Sequence, residues 1–264
     1  ELLLERPAEH HASNLGAGIA LYIARDGGGI PAYIYDSVAV DEMLPIARYS
    51  GVKGYPRQSF SHVLNTRAVA RAIADREGFD LSASNVIAAH LGGGISLNLQ
   101  SKGNLIDVMS ADEGPFSTER AGGIPIYQAA RIAKNEGIDA LYNYEIGRGG
   151  LMSYTGSNDA IALDDRAGTG DREAAMLYDA MAYQVAKAIG SLATVVNGDV
   201  RAIILTGGMA RSKRIVDAVR PRVEFIAPVY VWPGELEMEA LAAGGMRVIR
   251  GEEPARNIRD DVLI

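Results

Sequence analysis

The sequence contains no cysteine, which excludes disulfides and thiolate metal sites outright. It is short of positive charge. Its 26 Lys and Arg against 33 Asp and Glu leave a formal net charge of −7, which argues against a general grip on nucleic-acid phosphates. No apolar run approaches the roughly 20 residues that a membrane-spanning helix needs, and the first residues lack a signal-peptide pattern. Low-complexity tracts, short tandem repeats and an obvious interdomain linker are also missing. These absences lead to the expectation of a cytoplasmic globular protein with neither nucleic acid nor membrane as a partner. Proline is sparse at 10 residues, whereas glycine is abundant at 30 and clustered.

The apolar pattern alternates helices with strands. Ser13 or Asn14 is placed to cap a helix through Leu15, Ile19, Tyr22 and Ile23, stopped by Gly27-Gly28-Gly29. Residues 30–40, rich in β-branched and aromatic types, predict a buried strand interrupted by Asp36. Thr66 is a candidate N-cap for a helix ending near Gly78. Residues 86–91, 95–99 and 105–109 then predict three strands joined by Gly92-Gly93-Gly94 and by a hairpin turn at Lys102-Gly103-Asn104. Beyond a loop over 110–123, helices are expected over 127–135 and 172–196. The second carries Leu177, Met181, Val185, Ile189, Leu192 and Val196 as a core-facing stripe. A strand over 202–206, a turn at Gly207-Gly208, a helix over 212–219, a strand over 229–232 and a helix over 235–250 complete an α/β chain with a mixed sheet.

Gly92-Gly93-Gly94 follows one strand and Gly207-Gly208 another. Without a Cβ the backbone can approach a phosphate closely, and successive free N–H groups form an anion-binding nest. Each turn alone is also explained by simple chain reversal. Neither fits the P-loop or the dinucleotide fingerprint; together they tilt toward a nucleotide. His90 stands at a strand end, where ligands sit in α/β sheets, although a satisfied core histidine is the plainer alternative. The loop 112–123 is either a solvated surface segment or the support that presents the Arg120 fork to an oxyanion. Asp36, a carboxylate in an apolar stretch, needs a cation or a turn. Glu235 and Glu237 at the start of the last helix suit the helix dipole and a magnesium site equally well.

Several segments then resemble the butyrate kinases, relatives of acetate kinase in the acetate and sugar kinase, actin and chaperone superfamily. They are His90-Leu-Gly-Gly-Gly-Ile-Ser96, Glu113-Gly-Pro-Phe-Ser-Thr-Glu-Arg-Ala-Gly-Gly-Ile-Pro125, Leu205-Thr-Gly-Gly-Met-Ala210 and the stretch Ile226 to Ala242. The resemblance spans nearly the whole chain. It implies a two-lobed actin-like fold with mixed sheets and an incomplete first lobe. Residues 1–48 would be the remainder of the N-terminal lobe, rejoined by the helix at 235–264, and 49–234 the nucleotide-binding lobe. It implies the reaction of ATP with butanoate to give ADP and butanoyl phosphate, with Mg2+. Propionate, isobutyrate or acetate are alternative acceptors, and a nucleotide-binding fragment without transfer is a further alternative.

By motif, Asp36 resembles the catalytic aspartate near phosphoryl and metal, His62 and His90 resemble phosphate-contacting histidines, and Arg120 resembles the arginine that stabilises transition-state charge. Gly92, Gly93 and Gly94 would cradle phosphate. Gly207 and Gly208 would form the adenosine-side turn, with Asn158 and Asp159 nearby, and Glu235 or Glu237 would join Asp36 near the metal. A homo-oligomer, dimer or higher, is expected. The chain departs from the family pattern in three places: Ser37 stands where proline is usual, Ala121 stands where serine is usual, and the loop before Glu113 is shorter. The family's first strand and Ser-rich phosphate turn have no counterpart here, so the resemblance implies a member lacking its N-terminal portion.

Overall fold

A computed structural model describes residues 14–255. Five strands form one mixed sheet in the order β3-β2-β1-β4-β5. They are β1 (Asn85–Leu91), β2 (Ile95–Ser101), β3 (Asn104–Met109), β4 (Ala202–Gly207) and β5 (Val229–Pro233). β1, β4 and β5 run parallel, and β2 and β3 complete the sheet as an antiparallel meander. The carboxyl ends of the three parallel strands therefore share one crest, and Gly92–Gly94, Gly207-Gly208 and Gly234-Glu235 all lie on it.

Period-two alternation sorts the side chains of these strands between two helical layers. Ile87, Ala89 and Leu91 of β1, Ile95, Leu97 and Leu99 of β2, and Ile203 and Leu205 of β4 pack against α7 (Arg172–Val195). That helix buries Leu177, Met181, Val185, Ile189 and Leu192 as the stripe predicts, and Asp171 caps it by accepting from Glu173 and Ala174 N–H groups. Val86, Ala88, Ala202 and Ile204 point the other way, onto Val69, Ala70 and Ile73 of α2 (Val63–Glu77).

The α2-facing side of β2 is unusual. Ser96, Asn98 and Gln100 would face solvent in a one-sided sheet, yet all three are buried beneath α2. Their partners lie close: Asn98 Nδ2 donates to Thr66 Oγ1 at 2.7 Å. This changes the role of Thr66. The helix starts after His62, and Thr66 sits one turn inside it, returning its hydroxyl to the His62 carbonyl at 3.0 Å. Gly78 ends α2 in the left-handed conformation, as expected.

The first helix, α1, runs Asn14–Asp26 and stops at the glycines; the Ser13 alternative for its cap lies outside the described residues. The strand expected over 30–40 is not formed. This segment is a loop in which Ile30, Tyr33 and Ile34 are exposed; its backbone makes the turn bond Val40 N–H to Ser37 C=O and accepts from Ser61 N–H at Val38 and from Ser59 Oγ at Val40, but forms no strand ladder. β-Branched composition makes a strand only when the segment pairs with a neighbour, and this one pairs with none of the five described strands. Between the sheet halves lie α3 (Ile126–Glu136), α4 (Ile138–Glu145), α5 (Gly150–Thr155) and α6 (Ala160–Gly168), of which only α3 follows from the apolar pattern. α8 (Lys213–Val223), capped by Ser212, and α9 (Glu237–Ile249) complete the described chain. Among the described residues no helix is long and apolar enough to cross a membrane.

Candidate active site

Registration across the crest sets Ser96, His90, Thr206 and Trp232 side by side on four adjacent strands, all on the α2 side. The start of α2 lies above this row. His62, the residue before the helix, stacks its ring on His90 with centroids 3.9 Å apart and planes 8° from parallel. The His62 backbone N–H donates to Ser96 Oγ at 3.1 Å, and its Nδ1 lies 2.8 Å from the same hydroxyl. Burial drives both imidazoles toward the neutral form. His62 is lowered to about 4 by desolvation and then by the charge of Arg120, and His90 to about 3 by desolvation and then by His62.

Arg120 comes from the 112–123 loop, which is not a solvated surface segment. Pro115 to Thr118 are buried, Ser117 Oγ donates to the Gly93 carbonyl at 2.5 Å, and the Ser117 and Glu119 carbonyls accept from Leu151, Gly147 and Gly149 N–H groups. Glu113, near the start of the loop, is clasped at 2.8 Å through each oxygen by Arg57. Arg120 itself lies over the glycine turn, since a Cβ on Gly94 would sit 2.8 Å from Arg120 Nη1. It has no carboxylate within ion-pairing distance among the described residues, and its buried Nε has no hydrogen-bond partner. Nearby Glu145 is pushed up to about 7, by burial first and Asp112 second, against the pull of Arg120. A guanidinium that makes no direct ion pair among the described residues, beside two neutral imidazoles, is chemically suited to an oxyanion.

The glycine turns have separate physical reasons. A Cβ on Gly92 would approach His90 Nε2 to 2.8 Å. Gly207 combines φ +88° with a Cβ position 2.5 Å from the Leu91 carbonyl oxygen, so no other residue fits the crossing of β4 past β1. Gly208 faces open space, with no atom within 4 Å of its Cβ position.

The remaining predicted residues divide. Glu235 Oε1 stands 3.5 Å from His90 Nε2, inside the cluster. Glu237, two residues on, is held above the usual carboxylate range by desolvation and then by the Glu235 charge. Asn158 donates to Glu119 Oε2 at 3.0 Å, beside the Gly93 turn, whereas Asp159 caps α6 by accepting from Ala162 N–H at 3.0 Å. Asp36 is not drawn into the cluster. At φ 44°, its carboxylate meets Arg67 at 2.5 Å and Arg71 at 3.8 Å, both on α2. It forms no hydrogen bond or ion pair with His62, His90 or Arg120 among the described residues. Its second oxygen is buried without a hydrogen-bond partner. Asn65, Ser96 and Ser117, which knit the cluster together, were invisible as site residues. Alternation alone assigns Ser96 to a solvent-facing position, and Asn65 on a helix and Ser117 in a loop carry no periodic signal.

Residues 36–229 match the Acetokinase family. The chain belongs to that family. It is accordingly a phosphotransferase with a carboxyl group as acceptor and ATP as the phosphoryl donor class. The structure is similar to the acetate kinase of Porphyromonas gingivalis, with TM-score 0.80 at 20% identity over 91% of this chain and 69% of that one. It is also similar to the acetate kinase of Entamoeba histolytica (TM-score 0.76, 19% identity, 87% and 70% covered). A propionate kinase from Francisella tularensis subsp. tularensis SCHU S4 matches with TM-score 0.74 at 20% identity, covering 88% and 68%. The mixed α/β fold is thus that of the acetate kinases.

Proposed function

We propose that this acetokinase-family chain transfers the γ-phosphoryl group of ATP directly to a short-chain carboxylate, with butanoate as the preferred acceptor. The observation that carries the reading is the Arg120 guanidinium, which makes no ion pair among the described residues, lying over Gly94 beside the neutral His62–His90 stack. In-line transfer asks a protein mainly to align donor and acceptor and to neutralise charge on the equatorial phosphoryl oxygens. Arg120, an imidazole N–H and the Gly93 and Gly94 backbone amides can supply that neutralisation without a covalent intermediate, while the Gly92 N–H closes the turn onto the Gly94 carbonyl. The acceptor carboxylate is ionised at neutral pH, so it attacks without a strong general base. The phosphorus–oxygen bond to ADP breaks as the bond to the carboxylate oxygen forms.

The donor set at Glu235 and Glu237 fits Mg2+, because the two carboxylates repel each other in a partly desolvated site. A magnesium ion is commonly held by one or two carboxylates together with substrate phosphates, and here it would neutralise the phosphate charge. Asp36, already matched by two arginines, does not fit as a ligand in this arrangement. The open face of Gly208 supports the adenosine side. The two-lobe division belongs to the same reading. It is supported by the Tyr35 ring packing on Gly244 of α9 and by Arg247 donating to Tyr35 Oη at 2.6 Å, which ties the 30–36 segment to the last helix. The butanoate preference rests on the motifs that resemble butyrate kinases, and a homo-oligomer is part of the same expectation.

The test is trapping of acyl phosphate with hydroxylamine across acetate, propionate, isobutyrate and butanoate, with ADP binding measured on the same sample. Product formation is expected to be best with butanoate. Arg120→Ala is expected to lower turnover by about 10²–10³-fold, in line with loss of one oxyanion-stabilising group. ADP binding with no acyl phosphate from any acid would replace this reading with that of a nucleotide-binding module.

A further inference from the structure

Asn65 is fully buried and touches three parts of the crest at once. Its Oδ1 accepts from the Leu236 backbone N–H at 2.9 Å, and its Nδ2 lies 3.2 Å from Thr206 Oγ1 and 3.0 Å from His90 Nδ1. The orientation of this amide is fixed from both sides by chemistry. A backbone N–H can only donate, so the atom facing Leu236 is the oxygen. On the other side, Thr206 gives its single hydroxyl hydrogen to the Gly234 carbonyl at 3.0 Å, so toward Asn65 it can only accept. The atom facing Thr206 and His90 is therefore the NH2 group, with one hydrogen for each. His90 Nδ1 must then accept, and in a neutral ring the proton must reside on Nε2.

We infer that Asn65 is a positioning residue that holds His90 in the Nε2–H form, so that a neutral N–H donor faces the cleft. This rests on the phosphoryl-transfer reading for its use, but the geometry stands by itself. The Nε2 that carries the proton is the one beside Gly92, and it stands 3.5 Å from Glu235 Oε1, where a lone pair would be repelled. The opposite tautomer would turn a lone pair toward any phosphoryl oxygen on the crest. At metal sites, a partner that sets a ligand histidine's tautomer and ring orientation is typically worth about 10–100-fold in affinity or activity, and Asn65 acts on His90 by the same means.

The chain has four histidines, so long-range 1H–15N correlation spectra of the folded protein near pH 7 can be assigned with His62 and His90 variants. The wild type is expected to show His90 with an unprotonated Nδ1 and a protonated Nε2. In Asn65→Asp, which keeps an acceptor for Leu236 but removes the donor to His90, Nδ1 is expected to become protonated. A protonated Nδ1 in the wild type would overturn the inference even if the variant did not fold. An unchanged His90 pattern in folded Asn65→Asp would overturn it too. Because these spectra need no substrate, they fail only through Asn65; failure of the kinase reading appears in the hydroxylamine assay instead.

Discussion

Replacing Arg57 by leucine offers the sharpest test of how the Arg120 loop is held. Arg57 uses all five of its N–H donors. Two go to Glu113 at 2.8 Å each, one to Asp107 at 3.1 Å, and two to the carbonyls of Ala47 at 2.7 Å and Val108 at 2.5 Å. The guanidinium and both carboxylates are at most 28% exposed, so solvent screens them weakly. Leucine approximates the stem but strands two carboxylates and two carbonyls. Removing one partner of a buried ion pair costs about 3–5 kcal/mol, and partial exposure places this case near about 3. That is a large share of an ordinary stability of about 5–15 kcal/mol. Glu113→Gln in the same background relieves one stranded charge, so the double variant is expected to be more stable than the two single losses added together, by about 1–2 kcal/mol. Urea unfolding followed by far-UV circular dichroism and by the single tryptophan, Trp232, reads both quantities. A loss below about 1 kcal/mol, or strict additivity, would refute this account of the loop's anchorage.

The buried imidazoles make stability depend on pH. The unfolded chain takes up protons on His62 and His90 near pH 6.5, the folded chain only near 4 and 3. In between, the unfolded state binds more protons, so stability falls as pH drops from about 6.5 and this contribution levels off below about 3. His62→Asn/His90→Asn is expected to flatten the slope of unfolding free energy between pH 6.5 and 4; equal slopes in both proteins would contradict neutral burial. Gly207→Ala is expected to destabilise by about 2–4 kcal/mol, from left-handed strain and overpacking against Leu91, as read by thermal unfolding. Gly208→Ala meets open space and is expected to leave the melting temperature within about 2 °C while weakening ADP binding measured calorimetrically. Unchanged ADP affinity would remove Gly208 from the nucleotide side.

Much of the candidate site was legible before any coordinates. His90 with Gly92–Gly94, Arg120 in its loop, and Gly207-Gly208 were marked by residue type at strand ends, and the structure brings them to one crest. Asp36 shows the limit. Its apolar neighbours spelled a strand, but it lies in a loop and pairs with Arg67 and Arg71, thirty-odd residues away in sequence. Asn65 was missed because an asparagine one turn into a helix carries no local signal; its meaning comes from Leu236, Thr206 and His90.

What the sequence alone determined was therefore local and periodic: which segments alternate, where glycine permits a crossing, and where chemically able side chains end a strand. Backbone sterics and hydrophobic period act within a few residues, so they are written directly in the order of amino acids. The tertiary structure decided which polar residues are buried together. Ser96, Asn98, Gln100 and Thr206 resemble a solvated strand face until α2 covers them. Only then do their unmet hydrogen-bonding groups have to find one another, and that requirement assembles the site around His62 and His90.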